Sequence, residues 1–255
     1  MSVRIFFFSL LLSLMVIAQP VTFEMKNYEK IYNGKNGNKD SLFVFKITYP
    51  EFKGIAGNSA IADKMNQSIA MLIMGQKEGE NLDVQFNEMV QMLAEIEDSS
   101  FFFVSWSFTT EISPKLISDD VLSFLFFHDE FLGGAHPNYY CGGINFVAKT
   151  GAEIAFDDIF VPKARAELNK MAEKIVRLER EIPADQTLTD YGYWFENDKF
   201  ELNDNFVITS DNITFSFNPY EVGPYALGMT EINLPFSKIK HLIKSDGPLA
   251  WANRH

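Results

Sequence analysis

The stretch HDEFLGGAHPNYYCGG, His128 to Gly143, decides how this chain is read. It follows a long expected strand, Val121 to Phe131, and leads into a strand-like segment around Cys141 to Ala148. It must therefore return one strand against the next. Gly133 and Gly134 supply the positive φ or close backbone approach that such a return needs, and Pro137 fixes the exit. Downstream, KTG at Lys149 to Gly151 marks a tight hairpin turn, after which AEIAFDDIF returns.

The same logic extends in both directions. Val21 to Tyr28 alternates with period two, and so does Ser41 to Tyr49, where Phe43, Phe45, Ile47 and Tyr49 share a face and Pro50 is expected to end the strand. The Gly- and Asn-rich cluster Asn33 to Asp40 between them predicts a hairpin. Ile61, Met65, Ile69 and Leu72 then recur at helical spacing, with Asn58 or Ser59 as the cap. So do Leu82, Phe86, Met89, Val90, Leu93 and Ile96, a stripe in which methionines are core filler. Long strands are expected from Phe101 to Ile112 and from Val121 to Phe131, joined by the turn ISDD. A third helix spans about Pro162 to Glu181, marked by Leu168, Met171, Ile175 and Leu178. Strands near Phe206 to Thr209, Ile213 to Phe217 and Thr230 to Leu234 precede a short helix near Phe236 to Ile243. Strands and helices are segregated, which predicts an α+β fold of mainly antiparallel sheets, arranged as two intimately packed subdomains over 19–115 and 116–255.

The first 18 residues have the layout of a secretory signal. Arg4 precedes an apolar run from Ile5 to Ala18, and Val16 and Ala18 are small residues suited to cleavage before Gln19. The run is shorter than the roughly 20 residues a membrane helix needs. No lipidation cysteine follows it, and no second long apolar stretch appears. A soluble periplasmic or secreted protein is expected. Cleavage would leave 21 basic against 34 acidic side chains, a formal charge of −13. That field repels phosphate, arguing against nucleic acid and anionic membranes as partners and favouring a basic one. Cys141 is the only cysteine, so no intrachain disulfide forms and the core must carry stability, with 25 phenylalanines to build it.

Several motifs resemble a known family. FLGGAHPNYYCGGINFVAKTGAEIAFDDIF, Phe131 to Phe160, resembles the second half of a bacterial extracytoplasmic domain pair whose members share a GGAH turn, an Asn-Phe strand, a Thr-Gly hairpin and a DDIF ending. ITFSFNPYEVGPYALGMTEINLPFSKIKHLI, Ile213 to Ile243, looks like that family's closing element, and YPEF at Tyr49 to Phe52, with the helix containing Asn66, is similar to the partner half. The pair occurs in RsiV-type anti-sigma factors, which bind lysozyme, and beside the catalytic domain of PdaC-type peptidoglycan deacetylases. The resemblance implies a fold and a cell-envelope setting rather than an activity. The expected absence of a transmembrane helix and of room for a deacetylase domain means that neither complete activity transfers.

Two loops hold the unusual residues. In the first, His136, Asn138, Tyr139 and Tyr140 either build a structural crossover or face a ligand, since aromatic tips beside adaptable polar groups suit sugar rings or a protein surface. In the second, NPYEVGPYALG at Asn218 to Gly228, Tyr220, Glu221 and Tyr225 sit among prolines and glycines. If the loops meet, His136 and Glu221 form either a buried hydrogen-bonded pair or the heart of a pocket. His128, Glu130 and His136 are too loosely spaced for a zinc signature, and no metal or other cofactor is expected. No Gly-x-Ser-x-Gly elbow appears, Cys141 reads as a small buried hydrophobe, and the pairs Asp119–Asp120 and Asp157–Asp158 read as turn caps, so no catalytic residue is assigned. The expectation is a non-enzymatic envelope module that recognises a peptidoglycan fragment or a lysozyme-like basic protein. The alternative is an envelope carbohydrate hydrolase using His136 and Glu221.

Overall fold

A computed structural model of the chain describes residues 20–35, 37, 41–75, 81–97 and 104–254. The signal-like segment 1–18 lies outside the described residues, as do parts of the turn cluster 33–40 and the start of the strand expected from Phe101. Strands β1 (Val21–Tyr32) and β2 (Phe43–Gly54) form the expected antiparallel hairpin. Two helices follow, α1 (Ser59–Met74) and α2 (Leu82–Ile96), the latter capped by the Asn81 side chain, which accepts from the Val84 amide. This helical crossover allows β3 (Trp106–Ile117) to lie parallel to β2, pairing from Phe43 opposite Trp106 to Thr48 opposite Glu111. Strands β4 (Val121–Phe131) and β5 (Asn138–Val147) complete a five-stranded sheet in sequence order, antiparallel apart from that one parallel pair.

Pro50 does not end β2. In the β1–β2 ladder the Ile55 amide donates to Pro20 O, so odd-numbered β2 residues turn their backbone groups to β1 and even-numbered ones turn away. The missing Pro50 N–H thus falls on the side where β3 has already stopped pairing, and the strand loses no bond. One pleat further on, Asn66 of α1 closes the open edge. Its side chain accepts from Phe52 N at 2.8 Å and donates to Phe52 O at 2.9 Å.

After β5 the chain turns at Thr150, makes one bridge, Phe146 to Glu153, and enters the short helix α3 (Phe156–Ile159) instead of returning as a full strand. Helix α4 (Ala164–Glu179) precedes a second, three-stranded antiparallel sheet of β6 (Phe206–Ile208), β7 (Asn212–Phe217) and β8 (Thr230–Pro235), followed by the short helix α5 (Phe236–Ile239). The architecture is the expected α+β class, with two largely antiparallel sheets.

The apolar side chains form three buried clusters. Phe43, Phe45, Phe86 and Leu93 lie between β2 and α2, and Phe52, Met65, Ile69, Phe124 and Phe146 lie between the large sheet and α1. The third joins α4 to the small sheet through Leu168, Ala172, Val176, Ile232 and Leu234. Two expected stripe positions are corrected here. Leu178 is 79 % exposed because α4 buries Ala164, Leu168, Ala172 and Val176, where small alanines allow close approach to the sheet. Ile96, at the end of α2, is also exposed.

Candidate functional site

The small sheet meets the large one at β5, an edge strand whose odd-numbered residues turn their backbone groups outward. Two asparagines take the place of a further strand there. Asn218 accepts from Cys141 N at 2.7 Å and donates to Cys141 O at 3.1 Å. Asn205 accepts from Gly143 N at 3.0 Å and donates to Cys141 O at 2.8 Å. Below them, buried Asn145 donates to Phe206 O at 2.8 Å and accepts from Ser123 Oγ, which itself accepts from Ile208 N. The approach is so close that a Cβ at Gly143 would stand 1.7 Å from Phe206 O. Cys141 is buried in this seam, and desolvation pushes its thiol pKa up, away from the reactive thiolate.

This docking brings the two unusual loops together. Gly133 and Gly134 adopt φ +91° and +110°, as the return from β4 to β5 requires. His136 then stacks on Tyr225, ring centroids 3.6 Å apart and planes 15° apart. The carbonyl of Pro137 accepts from His136 Nδ1 at 2.9 Å and from the Tyr225 hydroxyl at 2.9 Å, so the imidazole carries its proton on Nδ1. His136 Nε2 lies 3.4 Å from the Tyr220 hydroxyl. Tyr139 meets Tyr225 edge-on at 5.8 Å, and Tyr220 leans on Tyr225 at the same distance. The result is an aromatic junction of His136, Tyr139, Tyr220 and Tyr225. Desolvation, followed by the nearby groups Tyr139, Asp129 and Tyr220, raises the Tyr225 phenol above its ordinary value.

Other candidate residues stand apart from the junction. Asn138 is exposed at the start of β5. Tyr140 projects from the opposite face of that strand, 46 % exposed, against Phe126 and level with His128. Burial raises its phenol pKa, with Glu221 adding to the shift. The pairing of His136 with Glu221 is not made. Glu221 is exposed and accepts from Asn218 N at 2.8 Å and from Asn203 Nδ2 at 2.6 Å, which locks the turn carrying Tyr220. Among the described residues no carboxylate is hydrogen-bonded to His136, so the expected His136–Glu221 contact is absent there.

His128 and Glu130 do share a face of β4, with Nε2 and Oε2 3.7 Å apart, while His136 belongs to the junction. Among the described residues no group of three or more His, Cys, Asp or Glu side chains is placed to hold a metal ion. Sequence reasoning missed Asn203, Asn205 and Asn218, whose only trace is the polar spacing of LNDNF and NPY. It also missed Trp194, which is 57 % exposed and whose amide donates to Val222 O at 2.8 Å, beside the Tyr220 loop. No described helix is long and apolar enough to cross a membrane.

Comparison with known proteins agrees with this architecture. Residues 36–139 match the family model described as Deacetylase PdaC, and residues 157–237 match that of the protein of unknown function DUF3298. No curated protein matches the chain. A solved member of the DUF3298 family from Bacteroides fragilis NCTC 9343 superposes with a TM-score of 0.75 at 20 % identity, over 93 % of this chain and 99 % of that one. A DUF3298 family protein from Pseudomonas aeruginosa PAO1 gives 0.60 at 16 % identity, over 88 % and 95 %. This chain thus matches, in order, the two family models of the domain pair that its motifs resemble, a region matching Deacetylase PdaC followed by one matching the protein of unknown function DUF3298.

Proposed function

We propose that this protein is an exported, non-enzymatic binding module of the bacterial cell envelope that recognises a peptidoglycan-type glycan through the aromatic junction. One observation carries the reading: Tyr220 is 55 % exposed at the rim of a pre-stacked platform that two sheets hold in place. Sugar rings pack their C–H faces on aromatic rings while their hydroxyls take hydrogen bonds at the rim, and a locked platform has little ordering entropy to lose on binding. Tyr220, Tyr225 and His136 supply the rings, and Tyr139 borders them. Export rests on the signal-like first 18 residues.

A lysozyme-like basic protein is the second reading. The formal charge of −12 favours it, since a field of that sign steers a cationic partner to the surface. Calorimetric titration of residues 19–255 with soluble peptidoglycan fragments, and separately with lysozyme, separates the two. Glycan recognition gives heat with the fragments, little salt dependence, and about a tenfold loss of affinity in Tyr220→Ala. Binding to lysozyme alone, weakening steeply with salt, would transfer the role to the protein partner. No heat with either would end both readings.

A further inference from the structure

The fold closes its buried strand edges with side chains, Asn66 on β2, Asn205 and Asn218 on β5, and Ser123 and Asn145 on β6. The outer edge of β1 is defended differently, by Glu24, Lys26, Glu29 and Lys30, charges of the kind that keep exposed edges from pairing. Among the described residues, strand β8 has no side chain closing its middle and only one charge there, the exposed Glu231. The Phe236 amide donates to Asp211 O, and the Ser216 amide donates to Asn205 O on the opposite side of β7. Together these fix the alternation of the β7–β8 ladder. Thr230, Ile232 and Leu234 turn their backbone groups to β7, and Glu231 and Asn233 turn theirs away. Among the described residues nothing is hydrogen-bonded to the backbone of Glu231 or Asn233.

That edge opens into a cavity of about 370 Å³ between β8 and the end of α4, lined by Val176, Glu179, Arg180, Met229, Glu231 and Asn233 among others. Arg180 reaches Leu227 O at 3.2 Å and Met229 O at 3.4 Å, which closes one end, and Pro235, without an N–H, closes the other. Glu179 and Glu231 take part in no ion pair with a described residue.

We propose that the Glu231–Asn233 edge of β8 is a docking site for a short, extended, basic peptide segment of a partner protein, which adds to the small sheet as a fourth strand. The four outward backbone groups supply the ladder, and the cavity beside Val176 accepts one face of the incoming strand. Glu231, on the face of β8 away from the buried Thr230, Ile232 and Leu234, selects lysine or arginine on the other face of the incoming strand, since opposite charges across a ladder attract. A second copy of this chain is a poor occupant. Two-fold pairing of β8 would bring both glutamates of each copy together in a chain of charge −12.

The test uses the full described chain and an acetylated, amidated seven-residue peptide alternating lysine and valine. A glutamate–valine peptide and a lysine–valine peptide N-methylated at alternate residues are its controls. The lysine peptide should shift the amide resonances of Glu231 and Asn233, and both controls should fail to bind. Asn233→Pro removes an outward N–H without touching the β7 ladder, as Pro235 already does two residues on, and should lower affinity at least about tenfold. Glu231→Lys should lower it about fivefold with the edge left intact. Equal binding of the lysine and glutamate peptides, or undiminished binding of the N-methylated one, would overturn the proposal. So would self-association of the chain that Asn233→Pro abolishes, because the occupant would then be a second copy. Tyr220 lies at the start of the β7–β8 loop and contacts His136 and Tyr225 rather than the β8 edge, so Tyr220→Ala should leave peptide binding unchanged.

Discussion

Tyr220 sits where a glycine would be favoured. The Glu221 amide donates to Asn218 O at 3.1 Å, closing a four-residue turn with Pro219 at its second position and Tyr220 at its third, φ +67°. That is the type II pattern, whose third position is usually glycine because a Cβ is strained at positive φ. A tyrosine kept there, with its ring exposed, works against stability, which fits a residue retained for contact. Tyr220→Gly should leave the unfolding free energy unchanged or raise it by up to about 1 kcal/mol while weakening glycan binding. Loss of stability together with unchanged binding, by denaturant titration and calorimetry, would make the ring a packing element instead. His128 poses a separate question at the same scale. Burial pushes its imidazole pKa below the ordinary value, and Glu130 pulls back less strongly. As pH falls below about 6.5 the unfolded chain takes up the proton first, so stability present above that pH is lost on acidification. His128 Nδ1 lies 2.9 Å from Thr110 Oγ1, a contact that glutamine can replace. Between pH 7 and pH 5 the urea midpoint of the wild type should therefore fall further than that of His128→Gln. Parallel pH dependence in the two proteins would show that His128 is not perturbed by folding.

At the scale of elements, the long strand β4 was legible at Val121 to Phe131, and its register is fixed by burial, because one residue of slip would put Phe124 and Phe126 on the wrong face. Helix α4 was legible as a helix and nearly in rotation. Leu168, Met171 and Ile175 do pack on the core, but the most deeply buried line is the one whose alanines let the backbones approach, and Leu178 falls outside it. The parallel pairing of β2 with β3 was not legible, since a half-buried strand shows the same alternation whichever neighbour it takes. The candidate site was legible in part. GGAH and NPYEVGPYALG announced special turns, and those turns do meet. The asparagines that force the meeting looked like ordinary loop residues, and Glu221 proved to be a turn lock. The element that depends most on a single residue is the β5–β6 contact. Gly143→Ala places a methyl group inside contact distance of Phe206 O and should cost about 3 kcal/mol or more, read as a lowered denaturation midpoint. Tolerance of that alanine would mean that the two sheets sit further apart than described.

For the whole molecule, the question is whether the two sheets fold as one unit. Three apolar clusters are distinct. The seam between the sheets has an apolar part, where Leu116, Val121 and Val147 meet the small-sheet cluster, and a polar part built from buried Ser123, Asn145 and Asn218 and half-buried Asn205. Such bonds contribute only about 1 kcal/mol each when made. Each leaves a desolvated partner costing about 1–3 kcal/mol when broken on one side, so neither sheet is comfortable alone. Strong mutual dependence of that kind predicts a single cooperative transition. The three tryptophans make it measurable, because Trp106 lies in the cluster beneath the large sheet, while Trp194 and Trp251 lie in the part built around the small one. In a variant retaining only Trp106 and another retaining only Trp251, urea midpoints by fluorescence, corrected for the stability change of each background by circular dichroism, should coincide. Asn145→Ala, which leaves Phe206 O and Ser123 Oγ without their partner, should both lower the midpoints and separate them. Midpoints already separate in the unmutated seam would mean that the polar contacts orient the sheets without coupling them, and that the aromatic junction opens when either half unfolds. Coincidence would mean that the platform lasts as long as the whole fold does.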